Sequence, residues 1–169
     1  NTAQRPSWWR QLTVFLKRDV LSKLSNKQYL LINLLEAPVL AFLLAYLIRY
    51  HRPGQEYIFR ENQNIPPFLF IGVIVAHFIG LSVSAEEIFR DRKILKRESF
   101  LHLSRSSYIL SKICVMLVLS AIQMLMFVII GNGVLGIHDM HFSTWFILFS
   151  TACFANLLGL NISSAFNSA

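Results

Sequence analysis

The segment ICVMLVLSAIQMLMFVIIGNGVLGIH, residues 113–138, contains no Lys, Arg, Asp or Glu, and its reading decides the fold. A bilayer core about 30 Å thick is crossed by roughly 20 apolar residues in helix, at about 1.5 Å each. Asn62 to Ala85 and Met140 to Ala169 are equally free of those four residue types, and Gln28 to Ile48 carries only Glu36. Hydrocarbon offers the backbone no hydrogen bonds, so such runs must be helical; the strands of a transmembrane barrel would alternate in polarity, and these runs do not. The expected fold is all-α: a polytopic α-helical membrane protein with four transmembrane helices at about residues 30–50, 68–85, 108–131 and 144–166.

Composition agrees, because 54% hydrophobic residues and a mean hydropathy of +0.50 exceed what a soluble domain of this length uses. The formal charge of +7 is placed rather than spread. Six Lys and Arg precede Gln28, seven lie between Arg90 and Lys112, three lie at Arg49, Arg52 and Arg60, and none follows Ile113. By the positive-inside rule the N-terminus and the linker between spans two and three face the cytosol, and the other two linkers face outward. The excess charge is thus a topology signal, and its partner is the lipid bilayer rather than nucleic acid. No short apolar core with a small-residue cleavage site opens the chain, so no signal peptide is expected. The initial Asn1 and the apolar end at Ala169 are read as cuts in a longer chain.

Residues 1–29 form the first unit. Trp8, Trp9, Leu12, Phe15, Leu16, Val20 and Leu24 recur at steps of three and four among basic residues, which predicts an amphipathic helix along the cytosolic interface, its lysines reaching water or lipid phosphate. Val14 and Leu21 interrupt that pattern. Residues 30–169 form the transmembrane domain. Its first span holds Glu36 and Pro38; Glu36 stands roughly 9 Å past Leu30 at the helical rise, where a carboxylate is either the partner of a nearby cation or a proton or substrate site. Pro66-Pro67 predicts a break just before span two, and Gly131-Asn132-Gly133 the close of span three. Ala76, Gly80 and Ser84 in span two, and Ala155, Gly159 and Ser163 in span four, place small residues four apart, a device for close helix contact. His77 lies beside the first stripe and reads as a packing residue or a proton relay. Cys114 and Cys153 fall inside spans and read as small packing residues.

Between spans two and three, Glu86 to Arg105 is dense in charge but keeps Ile88, Phe89, Leu95, Phe100 and Leu103. A merely solvated hairpin has no use for those large apolar side chains, so the segment is expected to be a cytosolic helix that continues span two and docks a partner.

Asp91-Arg92-Lys93-Ile94-Leu95-Lys96-Arg97-Glu98, followed by Tyr108-Ile109-Leu110-Ser111-Lys112 at the head of span three, resembles the intracellular loop of ABC type-2 permeases, the G-subfamily group in particular. The order of parts is also similar: an interfacial connecting helix, two spans, a charged coupling loop and further spans. Asp91 stands where that group usually has Glu, and no Pro follows Lys112 within span three. The group carries six spans, so the resemblance implies truncation after the fourth. It further implies a dimeric export permease of a bacterial cytoplasmic membrane, paired with a second permease copy or homologue. Cytosolic ATPase domains holding ATP and Mg would push on a coupling loop carried by Glu87, Asp91, Arg92, Arg97, Glu98, Tyr108 and Lys112. Phe70, Ile74, His77 and Phe78 of span two would line the substrate path.

This chain contains no Gly-x-x-x-x-Gly-Lys-Ser/Thr loop, so ATP is not expected to bind here. No cofactor, metal or catalytic site is expected either: His138-Asp139-Met140-His141 offers two histidines without further ligands nearby. Two other readings remain open, a membrane scaffold recruiting a cytosolic partner through residues 85–107 and a membrane-embedded enzyme, for which only Glu36 and His77 supply intramembrane polar groups.

Overall fold

The computed structural model describes residues 7–49, 63–85, 87, 91 and 104–165, and every element among them is helical. The elements are α1 (Trp8–Ser25), α2 (Lys27–Ile48), α3 (Ile65–Ala85), α4 (Arg105–Leu135) and α5 (His141–Ala165). Helices α2 to α5, of 22, 21, 31 and 25 residues, are each long and apolar enough to cross a membrane. Their outer faces carry large bare side chains, Leu47 and Phe142 among them, as lipid contact allows.

Local chemistry sets the helix ends, and three of them differ from the sequence expectation. One residue, Asn26, separates α1 from α2; its side chain accepts from the Tyr29 backbone N–H at 3.1 Å and so caps α2. Pro66 and Pro67 do not break the chain before the second span but lie in the first turn of α3, where a missing N–H removes no helical bond; the first bond of that turn runs from Phe68 N–H to the Asn64 carbonyl at 3.0 Å. Nor does Gly131-Asn132-Gly133 end the third span. The helix runs on to Leu135 and stops at Gly136, whose left-handed backbone (φ 63°) lets its N–H reach the Asn132 carbonyl. Gly131 serves packing instead, because a Cβ there would lie 2.8 Å from the Phe68 ring.

Small residues determine which helices meet. Helix α3 packs chiefly on α5, and α2 and α1 chiefly on α4, which also touches α5. The two stripes singled out in the sequence face each other: a Cβ on Gly80 would stand 2.7 Å from Ala155 Cβ and 2.8 Å from the Ala152 carbonyl, and one on Gly159 would run into Ser84. On α2 the buried positions are Ala37, Ala41 and Ala45, a further small stripe. Lipid is as apolar as these helices, so close backbone approach and dispersion hold them together rather than hydrophobic exclusion from water. Phe68 and Phe127 stack at 6.2 Å in the shared core. Polar bonds pin the register. Asn156 Nδ2 donates to Ser120 Oγ at 2.7 Å, and Gln123 Nε2 to the Asn33 carbonyl at 2.8 Å, next to the Leu34 carbonyl whose helical donor Pro38 removes.

With α2 committed to α4 and α3 to α5, these two sequence neighbours touch only lightly. A groove opens between them toward the α1 end of the bundle.

Candidate functional site: a buried charge knot

The N-terminal helix uses its sides differently from the simple amphipathic reading. Leu12, Phe15, Asp19 and Lys23, at steps of three and four, form its buried face, whereas Trp9, Val20 and Leu24 beside it are exposed and suit an interfacial position. Lys23 therefore does not reach for water or phosphate; it is 4% exposed and points into the protein. Val14 and Leu21, which interrupt the apolar pattern, lie on the exposed side.

Glu87 and Asp91, just beyond α3, are helical and one turn apart. Glu87 is only 6% exposed, so at this position the charged segment turns its carboxylate into the protein rather than to water. Its carboxylate takes an ion pair from Lys23 of α1 and a second from Lys112 of α4, the latter at 3.2 Å. Lys112 also pairs with Asp19 and, at 2.8 Å, with Asp91. Lys23 lies 4.0 Å from Asp19 within α1. Tyr108 donates its hydroxyl to Asp91 at 2.9 Å, and Tyr29 donates to Glu87 at 3.3 Å. The Phe15 ring meets the Tyr108 ring edge to face at 5.9 Å.

Three carboxylates and two ammonium groups thus share one water-poor site. Arg18 acts on Asp91 as a further positive charge, which brings the site close to neutral. Burial by itself would raise the Glu87 carboxyl, but Lys23 and Lys112 outweigh it and hold the group below its ordinary 4.5. Burial likewise works against Asp91, and Lys112, Tyr108 and Arg18 overcome it to hold that carboxyl below 3.8.

The sign for stability follows. A carboxylate whose folded value is depressed contributes fully above its unfolded value, and that contribution disappears as pH falls through the folded one. The protection factors of the α1 amides, which correct for the pH dependence of intrinsic exchange, are therefore expected to hold from about pH 7 to about pH 5 and to fall below about pH 4 as Glu87 and Asp91 protonate. Protection factors unchanged down to about pH 2 would show that the carboxylates do not hold α1.

Four of the seven loop residues expected from the sequence, Glu87, Asp91, Tyr108 and Lys112, meet in this knot; Arg92, Arg97 and Glu98 lie outside the described residues, as does most of the expected coupling helix. Asp19 and Lys23 were missed. Their signal was present, since positions 19 and 23 continue the 12–15 stripe at helical spacing, and charged residues on a docking face point to a buried counter-charge. At the start of α4, Ser104 N–H donates to Gln11 Oε1 at 2.9 Å and Trp8 Nε1 to Ser106 Oγ at 3.2 Å, tying the two helices a second time.

The other expected residues separate. Phe70, Ile74 and Phe78 are exposed along one face of α3. His77 turns toward α5 and packs its ring 6.2 Å from Phe154. Glu36, half-buried, lines the groove between α2 and α3 together with Phe78 and Glu87, and no ion pair of its carboxylate falls among the described residues.

The family model for the ABC-2 type transporter matches residues 10–169. No curated protein and no solved structure matches the chain.

Proposed function

The chain belongs to the ABC-2 type transporter family, and on that premise we propose that it is the membrane half of an ATP-driven, dimeric exporter of the G-subfamily kind, moved from the cytosolic side through residues 86–105. Its N-terminus and this loop face the cytosol, by the placement of basic residues. ATP and Mg belong to an associated ATPase domain, since the chain holds no phosphate-binding loop.

The observation that carries this reading is the charge knot. A push on the loop from outside the membrane must reach the spans without being absorbed by slack. Glu87 and Asp91, at the root of the loop, are tied by ion pairs to α1 and to Lys112 in the first turns of α4. The loop root, the interfacial helix and the third span are therefore linked to move together, and a rigid-body displacement of that kind changes which side of a cavity is open. Helix α3 moves with α5, because their backbones are in contact at Gly80 and Gly159.

Arg97 and Glu98 lie farther along the loop than the knot, so replacing both leaves these ion pairs in place. The full-length parent, purified with any bound subunit into lipid nanodiscs, is expected to hydrolyse Mg-ATP, and Arg97→Ala with Glu98→Ala is expected to change that rate at least about threefold, roughly 0.7 kcal/mol in the barrier. No hydrolysis in the parent preparation, or an unchanged rate in the double variant, overturns the coupling role.

A further inference from the structure

We infer that the groove between α2 and α3 is a binding site for an amphipathic organic cation, its positive group at Glu36 and its apolar body along Ile32, Phe78 and Val83. The groove exists because α2 packs on α4 and α3 on α5, so the two helices diverge. It encloses about 340 Å³, within the roughly 300–1,000 Å³ usual for small-molecule sites. Its lining is mixed: Ile32, Phe78 and Val83 form the apolar part, with Ile32 55% and Phe78 62% exposed, and Tyr29, Asn33, Glu36, Ser82 and Glu87 supply the polar groups.

The polar groups of the groove are engaged, with one exception. Asn33 Nδ2 donates to the Tyr29 carbonyl at 2.9 Å, and Ser82 Oγ to the Ile79 carbonyl at 3.1 Å. The charge of Glu87 is answered by Lys23 and Lys112. Glu36 alone brings a carboxylate into the groove without a cation among the described residues. A half-buried carboxylate beside the apolar side chains of Ile32, Phe78 and Val83 attracts a positive group and disfavours a negative one. The bare Phe78 ring adds a face on which an organic cation rests favourably. Shape and charge together select a ligand that is apolar and positive; a neutral apolar ligand draws nothing from Glu36.

Binding at this groove is independent of ATP coupling, and only its meaning for transport rests on the exporter reading. The test compares tetraphenylphosphonium with tetraphenylborate, two ions of the same shape and opposite charge, titrated onto the full-length protein in neutral-lipid nanodiscs without nucleotide. Tetraphenylphosphonium is expected to bind saturably above empty nanodiscs, Glu36→Gln to weaken it at least about tenfold, and tetraphenylborate to gain or stay unchanged in that variant. Phe78→Ala, at an exposed position that leaves the fold intact, is expected to weaken tetraphenylphosphonium about threefold or more. Saturable binding unchanged by Glu36→Gln in a protein of parental melting temperature, or binding no tighter than to empty nanodiscs, overturns the site. No ATP hydrolysis in the parent preparation, or an unchanged rate in the Arg97/Glu98 variant, leaves this result standing, so the two readings fail separately.

Discussion

Lys112→Met is expected to be the most damaging single substitution at the charged end of the bundle, costing about 3–5 kcal/mol, the usual penalty for stranding a buried charge. Lys112 pairs with Asp19, Glu87 and Asp91. Methionine fills nearly the same volume, so the loss is electrostatic rather than a cavity. It leaves three carboxylates to Lys23, which pairs with Glu87 and Asp19, and to the more distant charge of Arg18 on Asp91. The melting temperature of the nanodisc-embedded protein reads the effect directly. A second arm separates electrostatics from packing: adding Asp19→Asn and Asp91→Asn to Lys112→Met removes two stranded carboxylates while keeping the Lys23–Glu87 pair, and is expected to recover more than half of the loss, a coupling that mutant cycles measure. A melting temperature within about 1 °C of the parent, for a domain in which 1 kcal/mol shifts it by a few degrees, would mean that the knot is peripheral to stability. The substitution also cuts the link from the loop root to α4, so ATP-driven movement should reach the third span weakly even where the protein remains folded.

The second large effect is expected where α3 and α5 touch. At Gly159 an added Cβ would collide with Ser84 Oγ and come within 2.9 Å of Ser84 Cβ and 3.2 Å of the Leu81 carbonyl. Ser84 cannot simply swing away, because its hydroxyl donates to the Gly80 carbonyl at 2.7 Å. Gly159→Leu must push the helices apart along the whole contact, and about 3 kcal/mol or more is expected, at the upper end of overpacking costs. The compensating swap is the sharper test. Gly159→Ala alone is expected to lower the melting temperature by several degrees, and Ser84→Gly in the same chain to restore most of it by moving the small residue to the other helix. A swap no better than Gly159→Ala alone would place the close approach elsewhere.

Much of this architecture was legible because the membrane leaves few choices. A run of sufficient length with at most one charge must be helical, so four spans follow from residues 28–48, where Glu36 is the one charge, 62–85, 113–138 and 140–169 with little else needed. The small-residue stripes on spans two and four were legible for a related reason, since only small side chains permit the approach that holds helices in lipid. Boundaries were less so. Pro66-Pro67 suggested a break and Gly131-Asn132-Gly133 a stop, yet prolines fit a helix's first turn and Gly131 is used under the Phe68 ring. Each of these residues has two physical uses, and the choice depends on a neighbour the local sequence does not name.

The charge knot marks the same boundary from the other side. Read singly, Lys23 is a basic residue of an interfacial helix and Glu87 one of several acids on a charged loop. Their pairing joins positions 64 residues apart, and Asp19 to Lys112 spans 93. The sequence alone determined the all-helical class, the four spans, their small-residue faces and the uneven distribution of basic charge, because hydrophobic length and backbone satisfaction are properties of each segment by itself. Which charges are buried together, and that α2 and α3 part to leave Glu36 in a groove beside Ile32 and Phe78, only the tertiary structure decided. Electrostatic partnership and cavity shape depend on distances between segments, and helix packing sets those distances.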